Sequence, residues 1–266
     1  MEKKRIVEIK TIKGIIIRKL FEVIKQFIKD ANLVFNSDGI KMSFIDPSEN
    51  SFTFLKLHAD KFELFRCEKE VSIGVNISTL FKTLKSAIRR EIITMYVNEG
   101  EEESFYIEFY DPFISKSRVF KLEALILKND DVNIQSMSFE SVINISTSQF
   151  QQIIKDIKLI EGKMVDIKSV NKRLIISSVN GIVDFTTVIK EMDYEDSDSK
   201  HCIKFNNSEV DDKIVQGKFK MSYLLDFIKA SHLCDNMNIL ISNDKPMILE
   251  YFVADLGVLR FVLIPL

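Results

Sequence analysis

Four copies of one six-residue helical pattern decide the fold, and the first copy reads Leu20-Phe21-Glu22-Val23-Ile24-Lys25. Apolar or small residues occupy the first, fourth and fifth places, and lysine occupies the sixth. At about 100° per residue these apolar places share one helical face, and the third and sixth places lie on the opposite face. The other copies are Leu80-Phe81-Lys82-Thr83-Leu84-Lys85, Phe150-Gln151-Gln152-Ile153-Ile154-Lys155 and Leu224-Leu225-Asp226-Phe227-Ile228-Lys229.

Stretches typical of β-strands follow every helical copy. They occupy residues 32–35, 92–97, 164–168 and 237–241, and residues that favour turns stand around them. A further strand-like stretch at 104–109 follows the charged residues 99–103, which predicts a hairpin with 92–97. Four helices that are each followed by strands predict an α+β chain built from four similar units.

The four copies divide into two pairs. Between the pairs lie residues 128–136, which are polar and have no helical period, so they predict a linker. The expected organisation is an N-terminal domain at 1–121, a connector at 122–139 and a C-terminal domain at 140–266. The acidic residues 191–200 predict a solvated loop.

The composition is that of a globular chain without a strong overall charge. Its 37 basic and 39 acidic side chains give a net charge of -2, so contact with nucleic acid would require uneven placement of charge. The longest apolar runs fall far below the ~18 residues that span a bilayer, and no signal-peptide core follows the charged N-terminus. Cys67, Cys202 and Cys234 are widely spaced, which favours reduced thiols over a disulfide framework or a zinc site.

Basic residues recur on the polar faces of the predicted helices. A lysine on such a face is ordinarily just a solvated residue. The same register in four helices instead favours a basic track that contacts backbone phosphates without reading sequence. Its most basic part is predicted on the first two helices, through Arg18, Lys25, Lys29, Lys82, Lys85 and Arg89.

Nothing in the sequence points to catalysis or to a cofactor. Phosphate-binding loops, dinucleotide fingerprints, metalloprotease helices and serine-nucleophile motifs are absent. His58, His201 and His232 have no partner at metal-ligand spacing, so we interpret them as surface or turn residues. We therefore expect a protein that is not an enzyme and that needs no metal or cofactor.

Several segments carry a resemblance that runs over nearly the whole length. Near the N-terminus they are Phe65-Arg66-Cys67 and Ile73-Gly74-Val75-Asn76-Ile77; near the C-terminus they are Leu249-Glu250-Tyr251, Ala254-Asp255-Leu256-Gly257 and Leu263-Ile264-Pro265. In these blocks the chain resembles the proliferating cell nuclear antigen family of DNA sliding clamps. The resemblance implies two similar clamp domains in a head-to-tail ring trimer, with antiparallel sheets outside and helices lining a central hole.

The resemblance also implies a function and two sets of site residues. The function is that of a polymerase processivity factor and docking platform on double-stranded DNA, in the nucleus or another intracellular site of replication. The implied DNA-binding residues are Arg18, Lys19, Lys25, Lys82, Lys85, Lys116, Lys155 and Lys229. The implied peptide-docking residues are Ile45, Phe52, Val132, Ile134, Pro246, Val262, Leu263, Ile264 and Pro265.

The chain departs from the family pattern at two positions. Gln152 stands where the family usually has arginine, so we expect the third helix to hold DNA less strongly. The implied partners are DNA polymerase, flap endonuclease, DNA ligase and the clamp loader. Glu49 replaces a histidine common near the docking pocket, and this change affects which of these partners is preferred.

The edge segments 115–122 and 182–189 are expected to pair across subunits.

Three alternative functions remain open at the level of the sequence. The chain could be one subunit of a checkpoint-type heterotrimeric clamp. It could also be a monomeric polymerase accessory protein or repressor-like DNA binder that uses one basic face without encircling DNA. A nuclease with dispersed carboxylates is the third alternative.

Overall fold

The computed structural model describes residues 3–128, 138–191, 203–206 and 213–266. Most of the predicted linker and acidic loop, together with His201 and Cys202, lies outside these residues. The chain forms two compact units. Unit 1 comprises Met1–Phe44, Phe54–Val132 and Val253–Val258, and unit 2 comprises Ile45–Thr53, Asn133–Phe252 and Leu259–Leu266. The domain boundaries expected from the sequence stay a prediction.

The first half of the chain contains two helices and nine strands among its described residues. The helices are α1 (Gly14–Ile24) and α2 (Ile77–Lys85). The strands are β1 (Arg5–Thr11), β2 (Asp30–Asn36), β3 (Gly39–Ile45), β4 (Ser51–His58), β5 (Leu64–Cys67), β6 (Val71–Asn76), β7 (Ile92–Asn98), β8 (Ser104–Asp111) and β9 (Lys116–Glu123). The predicted hairpin is confirmed as β7 and β8, which pair in an antiparallel ladder.

The second half contains two further helices and nine strands in the part of it that the structure describes. The helices are α3 (Thr147–Leu159) and α4 (Met221–Phe227). The strands are β10 (Ser141–Ser146), β11 (Met164–Val170), β12 (Arg173–Val179), β13 (Asp184–Lys190), β14 (Lys204–Phe205), β15 (Val215–Lys220), β16 (Asn236–Ile241), β17 (Met247–Val253) and β18 (Gly257–Leu263). Each of the four helices is thus followed by at least three strands, which confirms the four-unit α+β prediction.

Each unit exchanges strands between its two repeats. In unit 1 the strand before α1, β1, pairs with β7, which follows α2, and the strand before α2, β6, pairs with β2, which follows α1. Unit 2 repeats the arrangement, since β10 pairs with β16 and β15 pairs with β11. A single repeat therefore cannot complete its own sheet, and strands from two consecutive repeats are needed.

The apolar places of the helical pattern form the core under the sheets. Leu20 and Ile24 of α1, Leu80 of α2 and Phe150 of α3 are at most 1% exposed. The start of α2 is set locally, because the Asn76 side chain accepts a 2.9 Å hydrogen bond from the backbone N–H of Thr79. This burial fixes which helical face remains outside and so positions the basic residues.

A close backbone approach anchors the chain beyond β9. Leu125 forms an isolated bridge with Gly74 of β6, and its N–H donates a 2.8 Å hydrogen bond to the Gly74 carbonyl. A Cβ at position 74 would lie 2.1 Å from the Leu125 carbonyl oxygen, so only glycine fits there. No helix in the described part of the chain is both long and apolar enough to cross a membrane.

Candidate nucleic-acid interface and docking surface

The basic residues of α1 and α2 are exposed or half-exposed. Lys19, Lys82 and Lys85 are exposed, and Arg18 is half-buried beside the buried Ile17. None of these four side chains forms an ion pair with a residue that the structure describes. They carry uncompensated positive charge on the two helices of unit 1.

Lys25 is placed differently from the other members of the predicted track. It is the first residue after α1, and its Nζ lies 3.7 Å from the centre of the Phe81 ring on α2. The side chain is half-buried there. An aromatic ring stabilises a cation that lies over its face. Lys25 therefore links the two helices in addition to carrying a positive charge.

Among the predicted DNA-binding residues, the helical segments of unit 2 have fewer basic side chains without an acidic partner than the helices of unit 1. Lys155 is exposed on α3 and has no ion pair within the described residues, whereas the Lys229 Nζ lies 2.6 Å from Asp226 Oδ1. Lys229 belongs to a 3-10 turn, Ile228–His232, because α4 already ends at Phe227. On α3 the Gln152 Nε2 donates a 2.7 Å hydrogen bond to Asp156 Oδ1. Charge is therefore uneven between the helices, as the sequence indicates.

Several arginines on or beside the sheets are neutralised by buried carboxylates. Arg118 on β9 donates hydrogen bonds to both carboxylate oxygens of Glu91, at 2.8 Å and 2.7 Å, and Glu91 is 6% exposed. Arg90 donates a 2.7 Å bond to Asp111, which is 1% exposed. Burial alone would raise the pKa of Asp111, but this bond and those from backbone N–H groups hold it below its ordinary value. Lys116, at the start of β9, is exposed and has no such partner in the described chain.

A turn with a fixed conformation follows the predicted docking residue Ile45 in unit 2. Asp46, directly after Ile45, accepts a 3.1 Å hydrogen bond from the backbone N–H of Ser48 and a 3.0 Å bond from the Tyr223 hydroxyl. The bond from the Ser48 hydroxyl is the main cause that lowers the pKa of Asp46. Glu49 adopts a positive φ of 57° in the same turn.

The C-terminal segment of unit 2 passes from the core to the surface. Val262 and Leu263 are 6% and 1% exposed, whereas Ile264 is 37% exposed. The Ile264 N–H donates a 3.0 Å bond to the Asn50 carbonyl, which ties this segment to the turn. The remaining docking residues that the structure describes are all half-buried, and they are Ile45, Phe52, Pro246 and Pro265. Val132 and Ile134 lie outside the described residues.

Comparison with known proteins identifies the family. Residues 6–134 match the N-terminal domain of proliferating cell nuclear antigen, and residues 133–266 match its C-terminal domain. A "Probable DNA polymerase sliding clamp 1" of Paramecium bursaria Chlorella virus 1 is 30% identical, over 97% of this chain and 96% of the viral protein. The chain belongs to the proliferating cell nuclear antigen family. The "Proliferating cell nuclear antigen" of Dictyostelium discoideum is 26% identical, over 97% of this chain and 98% of its own length.

Family membership confirms the resemblance that the sequence blocks carry. The chain has the two clamp domains of the family, and its function is that of a DNA sliding clamp. Members are non-enzymatic clamps that work with DNA and DNA polymerase, associate with themselves and act at sites of DNA replication. The individual DNA-binding and docking residues stay predictions.

One contact beside the docking turn was missed at the level of the sequence. Tyr223 of α4 reaches Asp46 and lies 2.5 Å from the Ser48 hydroxyl, so it holds the turn that follows Ile45. No local pattern reveals this contact, because Asp46 and Tyr223 are separated by 177 positions in the chain. The two residues become neighbours only in the tertiary structure.

Proposed function

We propose that three copies of this chain form a closed head-to-tail ring that encircles duplex DNA and retains DNA polymerase on its template. One observation carries the proposal: most of the predicted helical cations lack carboxylate partners within the described residues, whereas Arg90, Arg118 and Arg260, on or beside the sheets, have them. Free cations gathered on the helices suit a polyanion that is met by the helical side alone.

Phosphate contacts through lysine and arginine would allow the chain to bind DNA and still slide along it. Such contacts carry no sequence information, and their strength falls as salt rises because binding releases counterions. The proposed contacts come from Arg18, Lys19, Lys25, Lys82, Lys85, Lys116, Lys155 and Lys229. Lys25 and Lys229 are expected to contribute least, because each already has a partner.

The proposed assembly uses the free edges of two sheets. β9 is the last strand in the order β5-β1-β7-β8-β9, and β13 is the last strand in the order β15-β11-β12-β13. Both carry exposed apolar residues, since Val119 and Val188 are 53% and 50% exposed. An unpaired edge with apolar side chains favours pairing with another chain, and a head-to-tail contact that closes gives a ring.

The proposed docking function rests on the exposed part of the C-terminal segment. Ile264 and Pro265 offer apolar surface beside the turn after Ile45 for the anchors of a short peptide, and the terminal backbone offers strand addition. By this route DNA polymerase, flap endonuclease, DNA ligase and the clamp loader would bind. The protein itself would perform no catalytic step, and it would act in the nucleus or at another intracellular site of replication.

The proposal is tested by native mass and by retention on DNA of two topologies. A ring predicts a species at three times the 30.8 kDa chain mass. After loading by a clamp loader, the ring should remain on closed circular DNA and be released from the same DNA once it is linearised, because it slides off free ends. Equal release from both DNAs, or a monomer at every concentration, would refute the encircling ring.

A further inference from the structure

The four-stranded sheet of unit 2 carries an excess of positive charge on one face. Its strand order is β13-β12-β11-β15. Alternate residues of these strands, such as Ile167 and Ile176, are buried under the helices at 0% exposure, and the residues between them point the other way. Two acidic strand residues point away from the helices, Asp166 and Asp184. The basic ones are Lys168, Arg173, Lys190, Lys218 and Lys220, and we call these five residues the basic face.

Most of the basic face has no acidic partner. Within the described residues only Lys218 of this set forms an ion pair, in which its Nζ lies 3.6 Å from Asp166 Oδ1. Arg173 stands directly opposite Lys190 in the ladder between β12 and β13. Like charges in opposite positions of a ladder repel each other. A negatively charged group that lies between these two side chains would therefore be stabilised there.

The acidic residue next to Lys190 is already engaged. Glu191 pairs with Lys172 at 3.0 Å, and its other carboxylate oxygen accepts a 2.9 Å hydrogen bond from the backbone N–H of Phe205. It therefore leaves the charge of Arg173 and Lys190 uncompensated.

The sheet β5-β1-β7-β8-β9 of unit 1 treats its cations differently. There Lys10 and Arg66 pair with Glu8, at 3.5 Å and 4.0 Å, and Lys121 pairs with Glu123 at 2.9 Å. A sheet face in this fold can thus neutralise its own lysines and arginines. The excess charge belongs to the sheet of unit 2.

A groove of about 840 Å³ connects the basic face with the C-terminal segment. The Leu266 N–H donates a 3.0 Å hydrogen bond to the Lys218 carbonyl, so the last residues of the chain lie along β15. Pro265, a predicted docking residue, lines the same groove. The basic face and the docking segment are therefore continuous. The charged residues in the lining are Asp166, Lys168, Lys218 and Asp244.

We propose that the basic face binds an acidic segment of a partner protein, beside the short peptide that occupies the docking segment. Charge complementarity and continuity with the docking segment support this occupant. Ile175 and Val188 stand opposite each other between the cations, and Val188 is 50% exposed. An extended segment that alternates acidic and apolar residues fits this pattern. The inference rests on the proposed docking function and gives that function a chemical class of partner.

A single-stranded nucleic acid fits the basic face less well. Proteins that bind single strands without sequence preference stack the bases on aromatic side chains. The residues of β11, β12, β13 and β15 that point away from the helices, all within the described chain, include no aromatic ring. Lys155, which is predicted to contact duplex DNA, belongs to α3 on the other side of this sheet. The basic face is thus separate from that contact.

The test compares peptides by calorimetric titration at low salt. The docking peptide carries a glutamine, an aliphatic residue and paired aromatic residues, and it is extended at either end by alternating acidic and apolar residues. Control extensions replace each acidic residue by its amide. With the wild-type chain, the acidic extension at one end should lower the dissociation constant at least about fivefold, because several exposed ion pairs each contribute a little. Added salt should remove this gain, because it screens exposed charges.

The double variant Lys168→Gln and Arg173→Gln should lose the gain and bind the unextended peptide like the wild-type chain. Lys155→Gln is the matched control, because Lys155 is also a lysine of unit 2 without an ion pair in the described chain but lies on the helical side. It should keep the gain. Thermal melting checks that both variants fold.

The outcomes separate this inference from the proposed docking function. If the unextended peptide binds but the acidic extensions add nothing beyond the amides, or if the double variant keeps the gain, the basic face has been misassigned and docking stands. A face for nucleic acid would instead show no peptide gain and weaker binding of a single-stranded oligonucleotide by the double variant than by Lys155→Gln, which also overturns the inference. If no peptide shows saturable binding, the docking function and this inference fail together.

Discussion

Replacing Ile264 by alanine should separate peptide docking from folding. Ile264 and Leu263 are neighbours in the predicted docking segment, but Ile264 is 37% exposed and Leu263 is 1% exposed. A change at Ile264 therefore alters surface that a partner can reach. The same change at Leu263 removes a side chain from the core.

The expected magnitudes differ for the two substitutions. Leu263→Ala should lower the free energy of unfolding by about 2 to 5 kcal/mol, as is usual for a buried leucine that leaves a cavity. Ile264→Ala removes a side chain that is only partly buried, so we expect a decrease of no more than about 1 to 2 kcal/mol. If Ile264 anchors a partner, peptide affinity should fall by about 1 to 3 kcal/mol, or roughly 5- to 150-fold.

Calorimetric titration measures the affinity, with a peptide that carries a glutamine, an aliphatic residue and paired aromatic residues. Urea unfolding of the same samples measures stability. Ile88→Ala is the control, because Ile88 is an isoleucine of unit 1 with a similar exposure of 47%, and it should leave peptide affinity unchanged. Peptide binding by Ile264→Ala that is as tight as binding by the wild-type chain would refute an anchoring role for Ile264.

Three further predictions concern the basic residues, the edge strand and acid stability. The plot of log affinity for DNA against log salt has a negative slope. Alanine at Lys82, Lys85 and Lys155 should make that slope less steep by roughly 0.9 for each phosphate that is no longer neutralised, and an unchanged slope would show that these lysines do not contact phosphates. Val119→Pro removes an N–H donor from β9, so native mass should show monomers that remain folded, because edge strands tolerate proline. Hydrogen bonds, first from Lys3 and then from Asn98 and Tyr106, lower the pKa of Glu101 from 4.5 to about 2. Its contribution to stability is therefore present above pH 4.5 and disappears as pH falls to about 2, so urea midpoints should show a smaller decline across that range in Glu101→Gln.

The sequence by itself determined the class of the fold and the family. Helical period and strand propensity act over a few neighbouring residues, so the four helices and the hairpin of β7 and β8 could be predicted from short stretches. The family blocks at both ends of the chain identified a sliding clamp. The lysine in the sixth place of each pattern was also visible, because it depends only on spacing.

The tertiary structure alone decided which strands from distant parts of the chain pair and which side chains remain available. The exchange of β1 and β6 between repeats joins segments far apart in the chain, and no local pattern specifies that pairing. Lys25 rests on Phe81 of another helix, so this lysine differs from the exposed Lys85 of the same register. Leu263 enters the core while Ile264 faces solvent, because burial depends on what packs against a strand from elsewhere in the fold.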